Sequence, residues 1–353
     1  MAGVTIYDVA ARAGVSIKSV SRVVNGEPNV SPILRDKVNA AVAELGYRRS
    51  LSARSLAGSS SSIIAALVDA ELTIEHWRSG RGNDYLSRLE LGALMECRQA
   101  DYHLMVELVD HGSANLRRDL SSLLSAIRPD GVLLTPPNSD HPVVLDVLEE
   151  AGVAFARISP EQDLGRGICV RMDERQAAYD VTTHLIGLGH QRLAHVSGPR
   201  PYAASKLRRE GFEKALRDHG LAPSAEAVAE GDFTFESGLR AAGELLGAAV
   251  RPTAIFAAND DMALGVLQAA ASVGLKTPED LSVAGFDDTP SAVFSTPPLT
   301  TVRQPVAEMA AAAARRLVPM LRAAMGSEGE RTDVVTPYSL IVRGSTAPPP
   351  RDA

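Results

Sequence analysis

The sequence predicts an α/β protein in which an N-terminal all-α helix-turn-helix domain precedes a two-lobed core built on doubly wound parallel sheets. Three features of the chain predict this architecture. Short amphipathic stretches separated by glycines fill the first 46 residues, apolar strand-like runs alternate with helical stretches from residue 62 onwards, and 353 residues are enough for two or three packed units.

The first two helices are indicated by their capping residues. Thr5 precedes a run whose apolar side chains fall on one helical face, and Asp8 stands at the position that completes a capping box. Gly14 can end this helix, because glycine adopts the left-handed conformation that a helix stop requires. Ser16 is the expected cap of the second helix, which the pattern extends to about Asn25.

The third helix completes a helix-turn-helix pattern. Ser31 is its expected cap, Pro32 occupies the first helical position, where proline is favoured, and Gly46 ends it. Two helices joined by a short glycine-containing turn and braced by a third are typical of domains that insert a helix into the major groove of DNA.

The charge distribution agrees with a DNA-binding N-terminal region. Residues 1–60 contain eight Lys/Arg and four Asp/Glu, whereas the whole chain carries a net charge of −7. A basic segment on an acidic remainder indicates a local contact with a polyanion, and the affinity of such a contact falls as the salt concentration rises.

The segment at residues 47–62 is basic and then serine-rich, which is typical of a flexible linker. Ser50 could nevertheless cap a short helix that ends before Gly58.

From residue 62 onwards, strand-like and helical patterns alternate, which predicts parallel sheets with helices on both faces, and their number favours two lobes. The proline-rich segment at 346–353 is expected to be disordered. The predicted strands are Ile63–Val68, His103–Val109, Gly131–Leu134, Val153–Ile158, Arg192–Val196, Ala254–Ala258 and Leu281–Phe286, and the predicted helices are Leu86–Gln99, Leu116–Ala126, Arg175–Gly187, Ala204–His219, Phe235–Leu246 and Asp261–Val273.

Several classes of protein are disfavoured. No apolar stretch approaches the ~18 residues of a membrane helix and no signal-peptide pattern opens the chain, so we expect a cytoplasmic protein rather than an exported sugar-binding protein. Cys97 and Cys169 are expected to be reduced core thiols, and His184 and His190 lack the neighbouring ligands of a metal site. No phosphate loop, zinc helix or nucleophile elbow is present, so neither an enzyme nor a bound cofactor is expected.

The segment TIYDVAARAGVSIKSVSRVVNG at residues 5–26 closely resembles the opening of the lactose-repressor (LacI/GalR) family of bacterial regulators. Further segments follow the family pattern in order, at residues 43–50, 55–58, 185–199, 205–216, 256–270, 278–288, 297–306 and 339–346.

The resemblance implies a repressor that binds a palindromic operator in double-stranded DNA as a homodimer and is controlled by a small molecule, with a sugar or sugar derivative expected. It implies a helix-turn-helix domain at 1–48, a hinge at 49–61 and a two-lobed periplasmic-binding-protein-like core at 62–345. The expected lobes are 62–159 with 290–320, and 160–289 with 321–345.

The second helix supplies the expected base-reading residues. Ile17 could touch a thymine methyl, Lys18 could reach guanine acceptors, and Arg22 could bond guanine bidentately. By resemblance, Ile17 and Lys18 occupy positions where family members vary their specificity, although Lys18 could equally contact only phosphate. Polar groups near helix starts are candidate phosphate contacts, and several could serve only as helix caps: Thr5, Tyr7, Ser16, Ser21, Asn25, Asn29 and Ser31.

The hinge resembles the family segment that folds on DNA and places a leucine in the minor groove. Leu56 occupies the matching position, and an apolar wedge of this kind bends the duplex. Family members often have Pro-Asn where this chain has Arg49-Ser50, which leaves the details of minor-groove reading open.

Polar residues that follow strands predict an effector cleft, because ligands of doubly wound sheets bind at the carboxyl ends of the strands. By resemblance, Arg208, Asn259 and Asp287 grip the effector, and Gln304 lies at a lobe crossover. Tyr85 stands where family members place a stacking aromatic, with a packed core tyrosine as the alternative. Two further residues are weaker candidates: Asp288, expected to be a structural loop cap, and Trp77, in a polar loop near the cleft mouth.

Overall fold

The protein is described by a computed structural model that covers residues 4–24, 29–47, 61–80, 82–323 and 333–350. The chain forms two compact units, residues 1–62 and 63–353. Nearly all of the predicted hinge, including Leu56, Arg49 and Ser50, lies outside the described residues.

The N-terminal unit contains the three predicted helices, α1 (Ile6–Ala13), α2 (Ile17–Val24) and α3 (Pro32–Leu45). Gly14 and Gly46 end α1 and α3 with φ of +61° and +62°, so the predicted left-handed stops are confirmed. The apolar faces of the helices meet in a small core formed by Val9, Ala10, Ala13, Val20, Val23, Val30, Val38 and Ala41.

The second unit contains two six-stranded sheets, ordered β11-β5-β4-β3-β1-β2 and β12-β10-β9-β8-β6-β7. Every described pairing is parallel except that of β12 with β10. In chain order the strands are β1 (Ile63–Asp69), β2 (His103–Val109), β3 (Gly131–Leu134), β4 (Ala154–Ile158), β5 (Ile168–Arg171), β6 (Leu193–Ser197), β7 (Val228–Glu230), β8 (Ala254–Ala257), β9 (Ser282–Asp287), β10 (Thr300–Arg303), β11 (Asp333–Val335) and β12 (Ser339–Ile341).

Helices cover both faces of each sheet, which confirms the predicted fold class. On β1, Ile64 and Ala66 pack in one apolar cluster, while Ala65 and Leu67 pack in another, as the period of two in a strand requires. The helices are α4 (Ala70–Ser79), α5 (Asn83–Gln99), α6 (Leu116–Ile127), α7 (Pro142–Glu150), α8 (Glu174–Gly187), α9 (Ala203–Asp218), α10 (Phe235–Leu246), α11 (Asp260–Ser272), α12 (Pro290–Phe294) and α13 (Val306–Ala323).

The chain crosses between the lobes at positions that differ from the predicted ones. β5 pairs with β4, so the first crossing follows Arg171 and not residue 159. β10 pairs with β9, which places the second crossing between Arg303 and Val306, and not before residue 290. The third crossing lies between Val335 and Ser339, not at residue 320. The strands next to these crossings, β5, β10, β11 and β12, have three or four residues each, too few to show the alternating pattern of a strand. They can be recognised only from the strands with which they pair.

The prediction for the segment around Trp77 was wrong. The segment around Trp77, expected to be a polar loop, forms α4, because Asp69 caps its first turn by accepting the N–H of Leu72 at 3.0 Å. Trp77 itself is 77% exposed on this helix.

Across the described ranges, no helix is long and apolar enough to cross a membrane.

The C-terminal segment is docked on the second lobe through residue 350, not disordered as expected. Ala347 donates its N–H to Ser282 Oγ at 3.0 Å, and its carbonyl lies 2.9 Å from His190 Nε2. Thr346 Oγ1 lies 3.0 Å from His184 Nε2. The two histidines thus hold the tail, whose prolines need no partner for a backbone N–H.

Candidate functional site

The exposed face of α2 is the candidate DNA-reading surface. Val20 and Val23 are buried, so the residues at the start of the helix are turned outwards. Ile17 is 42% exposed and Lys18 is exposed. The geometry therefore presents an apolar and a cationic side chain side by side.

Arg22 is oriented by the segment that follows α2. Its Nη2 donates a hydrogen bond of 2.7 Å to the carbonyl of Asn29, and the side chain is half-buried. This bond uses one of the five N–H donors of a guanidinium.

Several of the predicted phosphate contacts are helix caps. Ser16 Oγ accepts the N–H of Ser19 at 3.1 Å and Ser31 Oγ accepts the N–H of Leu34 at 3.3 Å. Thr5 Oγ1 donates to Asp8 at 2.7 Å, and this bond with that of the Thr5 N–H lowers the pKa of the Asp8 carboxyl.

The remaining candidates differ in exposure. Tyr7 is 68% exposed, Asn29 is exposed and Ser21 is half-buried. Asn25 lies outside the described residues.

A cavity lies between the two lobes at the carboxyl ends of the strands. Its volume is about 110 Å³. Since one buried water needs about 10–15 Å³, a cavity of this size holds a cluster of waters or one small molecule. The structure brings together all of the predicted effector residues in its lining, namely Tyr85, Arg208, Asn259, Asp287 and Gln304.

Arg208 and Glu174 form a buried ion pair in the wall of this cavity. Arg208 Nε donates to Glu174 Oε2 at 2.8 Å, and each residue is 4% exposed. The guanidinium also donates to the carbonyl of Ala258 and lies 3.7 Å above the ring centre of Phe286. Burial lowers the pKa of Arg208, but Glu174 and the nearby Asp287 raise it above its usual value. The arginine is therefore a fixed, charged group.

Asp287 ends β9 on a strained turn. Its φ is +125° and that of Asp288 is +55°, values that L-residues seldom adopt. Gln304 Nε2 donates to Asp287 Oδ1, and burial raises the pKa of this carboxyl. Asp288 is instead held by Arg303 and Arg343, as its interpretation as a structural loop residue predicted.

Asn259 and Tyr85 have mixed roles. Asn259 caps α11, since its Oδ1 accepts the N–H of Met262 and its Nδ2 donates to the carbonyl of Phe233, both at 2.9 Å. This leaves one amide N–H for a ligand. Tyr85 also packs against the apolar core, and burial raises the pKa of its hydroxyl.

A fully buried carboxyl group, that of Asp260, lies at the start of α11 between the cavity residues Asn259 and Asp261. Asp260 accepts hydrogen bonds from Thr301 Oγ1 at 2.6 Å, and from the N–H and Oγ1 of Thr289 at 2.7 and 3.1 Å. Burial raises the pKa of Asp260 to about 7, although these hydrogen bonds lower it.

Two contacts that sequence reasoning missed join the lobes across the cavity. Tyr202 Oη donates to Asp69 Oδ2 at 2.9 Å. Arg88 Nη1 donates to the carbonyl of Asp287 at 3.0 Å, and its Nη2 donates to the carbonyl of Asp288. Asp69 ends β1, so the expectation that polar residues at the ends of strands line the cleft could have found it. Nothing in the sequence around Arg88 distinguishes it from an ordinary surface arginine.

Trp77 is not among the cavity residues. Within the described ranges, no group of three or more His, Cys, Asp or Glu could hold a metal ion.

Comparisons with known proteins agree with this arrangement. Residues 5–50 match the description "Bacterial regulatory proteins, lacI family", and residues 182–346 match "Periplasmic binding protein-like domain". The chain is 33% identical to catabolite control protein A of Priestia megaterium, over 89% of this chain and 91% of that protein.

Two solved structures match nearly the full length of the chain. The transcriptional regulator CelR in complex with cellobiose has a TM-score of 0.72 at 30% identity, covering 97% of this chain and 99% of that one. The lac repressor dimer bound to operator and the anti-inducer ONPF has a TM-score of 0.79 at 29% identity, covering 98% of this chain and 100% of that one.

Proposed function

The chain belongs to the lacI family of bacterial regulatory proteins, and we propose that it is a repressor that binds a palindromic operator as a homodimer under the control of a sugar or sugar derivative. It is a sequence-specific DNA-binding transcriptional regulator. One observation carries the proposal for its control: side chains from five separate segments converge on one cavity between two parallel sheets, in a chain that also carries a helix-turn-helix.

The proposed recognition helix is α2. Ile17 would contact a thymine methyl, Lys18 the acceptors of a guanine, and Arg22 a guanine through O6 and N7 after leaving the Asn29 carbonyl. Leu56 is the proposed minor-groove wedge. The proposed phosphate contacts are Thr5, Tyr7, Ser16, Ser21, Asn25, Asn29 and Ser31.

An exposed apolar surface supports the homodimer. On α5, Leu91, Leu94 and Met95 are 57%, 45% and 51% exposed, and on the edge strand β2, Val106 and Leu108 are 39% and 47% exposed. An apolar surface of this kind is expected to be covered by a partner. Two-fold pairing of cores would pair two helix-turn-helix units, which a palindromic operator requires.

The cavity supports a polyhydroxylated effector. Asp287 and Gln304 offer carboxylate and amide oxygens, Arg208 and Asn259 offer N–H donors, and Tyr85 offers an aromatic face. A ligand that fits this cavity only when the lobes are closed would shift the protein between two states, by its difference in affinity for them.

We assign residues 1–48 to DNA binding, 49–61 to the hinge, and 62–345 to effector binding and dimerisation. The protein would act in the cytoplasm, at the nucleoid when bound to DNA. It would not convert its effector chemically, since its relatives are regulators.

The DNA-reading assignment is tested by selecting duplexes from a random pool with the full chain. A symmetric consensus is expected, and Lys18→Ala should relax one position in each half-site, because a base contact contributes about 1–3 kcal/mol of discrimination. Arg118→Gln, at an exposed arginine of the core, is the matched control. A consensus unchanged by Lys18→Ala would overturn the base-reading role of Lys18.

A further inference from the structure

The charges around the cavity restrict what it can bind. The described lining contains five carboxyl groups, and Arg208 is the only Lys or Arg among these residues. They belong to Asp69, Asp84, Glu174, Asp261 and Asp287, and burial raises the pKa of Asp287. His76 also lines the cavity, and burial lowers the pKa of its imidazole, so it adds no compensating charge near neutral pH.

Helix N-termini at the cavity are already occupied by the protein's own acids. Such termini ordinarily attract anions, because their N–H groups and dipoles point outwards. Here Asp69 caps α4, and Asp84, Glu174 and Asp261 lie in the first turns of α5, α8 and α11. These four acidic side chains occupy the helix N-termini and take the place that an anionic ligand group would need.

The positive charge of Arg208 is balanced by a carboxylate of the protein. Glu174 accepts from Arg208 Nε at 2.8 Å, and both side chains are almost fully buried. Arg208 can therefore donate hydrogen bonds to a ligand, but its charge is already balanced by Glu174. Among the described lining residues, no further Lys or Arg offsets the remaining acids for an incoming phosphate or carboxylate.

We infer that the cavity selects a neutral or amino-bearing polyol over its phosphorylated or carboxylated counterpart, and that Glu174 sets this selectivity by neutralising Arg208. This inference rests on the proposed function of the cavity as the effector site. One ionised carboxylate about 6 Å from a ligand anion, at an effective dielectric of about 20, weakens binding by about a hundredfold.

The experiment compares matched ligands on the full chain by isothermal titration and thermal shift. The pairs are glucose with glucose 6-phosphate and ribose with ribose 5-phosphate, with glucosamine and cellobiose added. The wild type should bind at least one neutral or amino sugar, and bind the phosphate of a bound sugar at least ~100-fold more weakly. Glu174→Gln, which is isosteric and frees the charge of Arg208, should reduce this discrimination at least tenfold.

Glu213→Gln is the matched control, because Glu213 lies on α9 and pairs with Arg209 at the surface. It should leave the discrimination unchanged. A sugar phosphate that binds the wild type as tightly as its neutral form would overturn the inference and leave the sugar-effector proposal standing. Unaltered discrimination in a folded Glu174→Gln protein would overturn the role of Glu174. Failure of every sugar to bind, in either form, would overturn the sugar-effector proposal and the inference with it.

Discussion

Arg88 is expected to hold the two lobes together, and its replacement should open the cleft. The side chain starts on α5 in the first lobe, and its Nη1 and Nη2 donate to the carbonyls of Asp287 and Asp288 in the second. Arg88→Met keeps most of the side-chain volume and removes both bonds. The two carbonyls on the strained turn would also lose their hydrogen-bond donor.

The magnitude follows from the two bonds. A hydrogen bond from a charged donor contributes about 1.5–3 kcal/mol, and we take the lower end because Arg88 is only partly buried. The pair then favours the closed form by roughly 3 kcal/mol, which is about a 150-fold change in the closed-to-open ratio.

The assay is single-molecule energy transfer between dyes at Arg118 and Val250, exposed positions on the first and second lobes. The full chain carrying Arg88→Met should populate a state with lower transfer efficiency. Arg98→Met, at an exposed position of the same helix, should leave the distribution unchanged. Identical distributions for the wild type and Arg88→Met would refute the interpretation of Arg88 as a bond between the lobes.

Two further predictions concern stability. Burial lowers the pKa of His195 to about 4; since its unfolded pKa is about 6.5, the stabilisation is complete above pH 6.5 and about 2 kcal/mol is lost by pH 5. Urea unfolding at pH 7.5 and 5.0 should therefore show less acid destabilisation in His195→Leu, and an equal loss in both proteins would contradict this. A Cβ at Gly92 would lie 2.1 Å from the carbonyl of Ala307, so Gly92→Ala should destabilise by at least about 1–3 kcal/mol. Gly187→Ala, where a Cβ meets nothing within 4 Å, should be neutral or stabilising in the same unfolding assay.

The sequence predicted elements whose signals are local. The caps at Ser16 and Ser31 and the stops at Gly14 and Gly46 depend on single residues, and the structure confirms them. Long apolar strands were found for the same reason. β5 was not found, because its four residues acquire meaning only in register with β4.

The candidate effector residues Arg208, Asn259 and Asp287 came from the family resemblance, and at Asn259 and Asp287 the expectation for polar residues that follow strands agreed with it. Glu174 and Arg88 were missed, because their roles arise from partners far away in the chain. Glu174 acts through Arg208, and Arg88 acts through two carbonyls almost 200 residues away. Such pairings depend on the packing of the two lobes and leave no pattern in the local sequence.

The measurement that tests the central claim most directly is the affinity of the full chain for its selected duplex with and without a saturating sugar. The sugar is the one that gives the largest thermal shift, and fluorescence anisotropy at fixed salt reports the affinity. We predict a change of about 5- to 150-fold in DNA affinity, with an equal change in sugar affinity on adding DNA. Equal DNA affinity with and without a sugar that binds the cavity would contradict the claim that this site controls DNA binding.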